Sequence, residues 1–141
     1  MDSLVASPWP RNRALCVLAG LWSLIYGVLG LIGAGLFWAL GMGQLVARAG
    51  AIEVWARGRF ARWMVNKGWQ GFTGGWTVFY WSPPGIGDLI HEREHVRQIL
   101  RWGPLYYPVY AVASLACGYR RNFFEVKAYA AQRAAGYPND A

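Results

Sequence analysis

The sequence predicts a mainly α-helical protein with a short β strand or hairpin: an N-terminal transmembrane helix followed by a small α+β core. Three observations predict it. Residues 14–40 contain no charged side chain. At 1.5 Å per residue that run is about 40 Å long as a helix, enough for one tilted crossing of a hydrocarbon core of about 30 Å. Residues 76–81, WTVFYW, are aromatic and β-branched, the composition of a strand. The chain beyond them shows helix caps and helix-ending Gly and Pro residues in turn.

Taken in order, residues 1–13 form a polar N-terminus with Pro8, Pro10, Arg11 and Arg13. Residues 14–43 form the anchor. A cleaved signal peptide is the rival, with Ala47-Arg48-Ala49 as its cleavage triplet, but its apolar region would span only about 7–15 residues. Small residues recur along the anchor, at Ala19, Ser23 and Gly27 and at Gly30 and Ala34. Such a stripe lets another helix approach closely and so permits a homo-oligomer through this face; the alternative is that Gly is simply common in membrane helices. Arg48, Arg57, Arg59 and Arg62 after the anchor outnumber Arg11 and Arg13 before it. The positive-inside rule therefore puts the C-terminal domain in the cytoplasm.

Residues 44–67 alternate apolar and basic side chains at helical spacing, with Leu45, Ala49, Ile52, Ala56, Phe60 and Trp63 on one face. This reads as a basic amphipathic helix, lying on lipid or packed on the core. Residues 68–75 read as turn. Asp88 is placed to cap a helix over 89–102. Residues 105–117 are apolar but too short for a second span. Asn122 caps a last helix ending near Gly136, with Pro138 beyond.

Composition narrows the function classes. Charged residues are 15% of the chain and hydrophobic residues 55%, which excludes a disordered charged tail. Two cysteines exclude a disulfide scaffold. The net charge of +7 fits anionic lipid headgroups as well as nucleic acid. The Arg-rich stretch with Trp55, Phe60 and Trp63 directly follows the membrane segment, so lipid is the preferred partner and nucleic acid ranks last.

The chemistry concentrates in residues 91–95, HEREH. His91 and His95 lie one turn apart on one helix face, as two ligands of one metal ion require, and they are the chain's two histidines. Glu92 lies beside them, placed to take a proton from water. A catalytic zinc needs a third protein ligand. Asp88 and Glu94 share the helix but do not converge with both imidazoles. Glu125 is the best choice; Glu53 and Asp140 stay open. Glu125 also has a purely structural reading, as the N3 member of a capping box opened by Asn122. Gln98, one turn beyond His95, is placed either to hydrogen-bond behind the imidazole or as ordinary surface.

The segments GGWTVFYW, HEREHVRQ and NFFEVKAYA together resemble the minimal gluzincin core of small zincin-like metallopeptidases. There an aromatic or β-branched edge strand precedes an HExxHxxQ helix. A second helix supplies a Glu followed three residues later by Ala. GPLYYPVYAVASLACG is similar to the corresponding part of small membrane-associated members. The likeness covers residues 68–135, and Glu94 departs from the small or neutral residue usual before the second His. The resemblance implies a zincin-like domain over 68–141, in which His91, His95 and Glu125 bind Zn2+ and Glu92 is the general base. It also implies that Val78, Phe79 and Tyr80 pair with an extended peptide or protein substrate. The donor that would stabilise the transition state stays open among Tyr106, Tyr107, Tyr119 and Tyr129. The expectation is a membrane-anchored zinc metallopeptidase. The alternative is a membrane-associated binding or assembly protein with a structural metal or none.

Overall fold

A computed structural model describes residues 5–137. The protein is α+β: six α-helices and one four-stranded sheet among the described residues. Asp140, an open candidate ligand, and Pro138 lie outside them.

The apolar run is not one helix. It forms α1 (Arg13–Trp22) and α2 (Leu24–Ala39), bent by 74° at Ser23. Asn12 caps α1 by accepting from the amides of Ala14 and Leu15. Ser23 Oγ turns back to the Ala19 carbonyl at 2.7 Å and accepts from Trp76 Nε1 at 2.8 Å. A side chain inserted at the break is a sufficient cause of the kink. No single described helix is long and apolar enough to cross a membrane, although the bent pair together has the length and composition.

The small-residue stripe is occupied within the chain. Ser23, Gly27, Gly30 and Ala34 are buried. A Cβ on Gly30 would stand 1.8 Å from the Gly74 carbonyl oxygen, and one on Gly27 would strike the Trp76 ring. The close approach that the stripe permits is therefore to the protein's own sheet.

Residues 44–67 also depart from expectation. They form a hairpin, β1 (Gly43–Arg48) and β2 (Ala51–Ala56), and only then a short amphipathic helix, α3 (Gly58–Asn66). Ala49 and Gly50 both adopt positive φ, 45° and 80°, as a two-residue turn of the twist-matched kind requires. The supposed turn at 68–75 holds a further strand, β3 (Gly71–Gly74), which pairs antiparallel with β4 (Thr77–Tyr80). Strand order is β1-β2-β4-β3, with β2 and β4 parallel. The sheet therefore runs unbroken across the boundary expected at residue 67.

Side chains alternate across the sheet. Val78 and Tyr80 face α4 (Ile86–Trp102) and pack with Leu89, Val96 and Leu100. Val54 and Phe79 face the other way, against Ala34 and Phe37 of α2 and Met64 and Val65 of α3. The result is a sheet with helices on both faces. Beyond α4 the chain turns through Gly103–Leu105 into α5 (Tyr106–Cys117) and returns as α6 (Phe123–Ala134) against α4. Helix α4 starts at Ile86, earlier than expected. Asp88 sits inside its first turn and accepts from the Gly85 amide at 2.9 Å.

Candidate metal centre

Helix α4 presents His91 and His95 on one face, and α6 lays Glu125 across it. His91 Nε2 and His95 Nε2 are 3.1 Å apart. Glu125 Oε2 lies 3.3 Å from His91 Nε2, and its Oε1 lies 3.3 Å from His95 Nε2. A tetrahedron of metal–ligand bonds of about 2.0–2.1 Å has edges of about 3.3 Å. Each carboxylate oxygen stands about that far from one imidazole nitrogen, and one donor atom from each of the three side chains lies within 4.8 Å of the others. All three are buried, at 8%, 5% and 1% exposure. Glu125 Oε2 and His91 Nδ1 are buried without a hydrogen-bond partner among the described residues. An acceptor left so is costly unless a cation completes it. The donor set therefore fits zinc, and equally another divalent ion that takes nitrogen and oxygen.

The local fold explains why Glu125 is free for this role. Asn122 caps α6 with its Oδ1 on the Phe124 amide at 3.0 Å. The Asn122 amide is itself satisfied by the carbonyls of Gly118 and Tyr119. The reciprocal half of a capping box is absent, and the Glu125 carboxylate turns inward. Tyr110 of α5 donates to Glu125 Oε1 at 2.5 Å. Asn122 Nδ2 ties the same helix down through Tyr110 O and Ser114 Oγ.

The imidazole of His95 is oriented from behind. Gln98 Nε2 donates to the Phe124 carbonyl at 2.9 Å, which turns its Oε1 toward His95 Nδ1 at 3.0 Å. Nδ1 must then carry a hydrogen, and Nε2 faces the site. Tyr106 also reaches Nδ1, at 3.1 Å. The ring of His91 packs on Tyr129, with centroids 4.5 Å apart.

Charge follows the geometry. Burial opposes ionisation of Glu125, but the His91 and His95 imidazoles beside it overcome it and hold the carboxyl far below its usual range. Burial likewise opposes charge on His95, yet the Glu125 hydrogen bond and the charges of Glu92 and Glu125 raise its pKa. Burial and the bond to Glu125 raise Tyr110, so it remains a donor.

The Glu92 carboxylate is held by β3. Thr73 Oγ1 donates to Glu92 Oε2 at 2.5 Å. Gly71 makes room, since a Cβ there would lie 2.9 Å from Glu92 Oε1.

The other acidic candidates are used elsewhere. Glu53 is buried against Arg93 at 2.7 Å and accepts from Trp55 Nε1 at 3.0 Å. Glu94 pairs with Arg97. Val78, Phe79 and Tyr80 are corrected as a substrate edge. They lie on β4, which is paired on both sides and buried, so β3 is the edge beside the site. Tyr107 donates to the Thr73 carbonyl at 2.6 Å and secures that edge strand. The residues missed from the sequence are Tyr110, Thr73 and the Arg93–Glu53 pair. Tyr110 had a readable signal: it stands one turn from Tyr106 on the same face of α5.

Comparisons with protein-family models, curated proteins and solved structures find no match to this chain.

Proposed function

We propose that the protein is a membrane-associated zinc metallopeptidase of gluzincin type. The observation that carries the reading is the meeting of His91 Nε2, His95 Nε2 and the Glu125 carboxylate at 3.1–3.3 Å. His₂Glu is an established catalytic zinc set that leaves one position open. When bound, zinc supplies a Lewis acid that polarises a carbonyl and acidifies water. Glu92 takes the proton on its carboxylate and returns it to the leaving amine. Thr73 holds that carboxylate in place through its hydroxyl. Peptides add to a sheet at an unpaired edge, and β3 is the edge next to Glu92, so β3 is the strand that aligns substrate.

The test is hydrolysis of a library of unfolded peptides by zinc-loaded protein beside Glu92→Gln. Cleavage should fall at least 100-fold in the variant while zinc content is unchanged. Equal cleavage by the two proteins contradicts the role of Glu92. A second reading is favoured by the deep burial of all three ligands: structural zinc sites are closed, catalytic ones open. In that case zinc binds, no peptide is cut, and removing zinc unfolds the protein.

A further inference from the structure

We infer that α1 and α2 form a bent wedge lying within one leaflet of an anionic bilayer, with both ends of the segment on the same side. This rests on the apolar face of the two helices and is independent of the metal chemistry.

Length argues first. Helix α1 has 10 residues and α2 has 16, about 15 and 24 Å, each short of a hydrocarbon core of about 30 Å. Straightening the pair would make a span, but the 74° bend is locked from inside the fold. Trp76 Nε1 bonds Ser23 Oγ at the break, and Gly30 touches the Gly74 backbone. A crossing would tear α2 from the hairpin that carries Thr73, or drag that sheet into hydrocarbon.

Exposure argues second. The face turned away from the sheet is apolar and about half exposed or more at Leu18, Leu21, Ile25, Leu29, Ile32 and Leu36. A contiguous patch of this kind marks an interaction surface. A helix buried on one side and apolar on the other matches a segment seated in the plane of a membrane.

Charge names the occupant. No charged residue interrupts 14–40, and Arg11 and Arg13 stand exposed at its start. A groove of about 500 Å³ runs beside α1, with Leu15, Leu18 and Trp22 as apolar wall and Arg97, which is paired with Glu94, and Arg101 also among its lining residues. Acyl chain against Leu and Trp, with phosphate against Arg, is the chemistry of an anionic phospholipid. A second copy of this chain would bring its own arginines to the same rim, and like charges would oppose the contact.

The test uses the full chain. Detergent is removed in the presence of vesicles of phosphatidylcholine with or without about 30% phosphatidylglycerol, and binding is read by flotation. Topology is read with an impermeant maleimide on membrane vesicles of known orientation. Ala6→Cys and Asn66→Cys, both at exposed positions, are made separately in protein lacking Cys16 and Cys117. The expected result is at least tenfold stronger flotation with the anionic lipid and labelling of both cysteines from the same side. Labelling from opposite sides overturns the wedge. Flotation indifferent to lipid charge, or a detergent-free oligomer that does not float, overturns the anionic leaflet as its partner.

Discussion

At the scale of single residues, the centre depends on where protons sit. His95 Nδ1 is committed to Gln98, so any proton on Nε2 competes with a metal for one lone pair. In the metal-free protein the pKa of His95 is raised, by Glu125 and Glu92 acting against burial. Stability from the His95–Glu125 pair is therefore fully present below the ordinary histidine value of about 6.5 and is lost as pH rises through the raised one. Zinc binding shows the opposite slope. Its affinity should climb with pH until His95 has lost its proton, then level off. Calorimetry in two buffers of different ionisation enthalpy should show proton release at neutral pH. Affinity that is flat between about pH 6 and 8 would contradict this protonation scheme. The two His and Glu92 were legible because their spacing is local, within one turn and a step of a single helix. The spacing of Tyr110 from Tyr106 was readable, but its meeting with Glu125 was not, since Glu125 lies on another helix and the contact depends on how α5 turns back.

At the scale of elements, the seam between α4 and the sheet is tied by a buried ion pair. Arg93 is 2% exposed and Glu53 is fully buried, and Trp55 and Arg48 also approach the Glu53 carboxylate. Removing one partner leaves the other charge uncompensated, so Glu53→Ala should cost about 3–5 kcal/mol in urea unfolding. Replacing both, with Arg93→Met and Glu53→Leu, should cost far less. A single-variant loss below about 1 kcal/mol would show that the pair contributes little to holding the seam. The helices after residue 86 were readable because caps and stop residues are local signals. The hairpin at 43–56 was not. Its apolar residues satisfy a helical period as well as alternation, and Ala49 holds a positive φ usually left to Gly or Asn. Strand β3 was hidden for another reason. Gly71 and Gly74 look like turn residues, but a Cβ on Gly71 would crowd Glu92 and one on Gly74 would press on the Phe72 and Phe79 rings.

At the scale of the whole molecule, the site is a joint between distant parts of the chain. Helix α4 brings two of the candidate ligands, α6 brings the third, and α2 braces the hairpin that holds Glu92 through Thr73. The α+β class was legible, and so was the charge-free segment. The single straight anchor was not, because burial of one helix face on a sheet leaves no trace in a run of apolar residues. A metal bound between α4 and α6 staples the fold, and bound zinc at 1,000 times its Kd stabilises the native state by about 4 kcal/mol. The decisive measurement is zinc stoichiometry of the purified full chain beside Glu125→Gln, with thermal unfolding of each with and without zinc. Gln keeps the size of the side chain but removes the anionic ligand. The account predicts one zinc per chain, a large rise in unfolding temperature on loading, and loss of both in the variant. Full zinc occupancy in Glu125→Gln would contradict the centre.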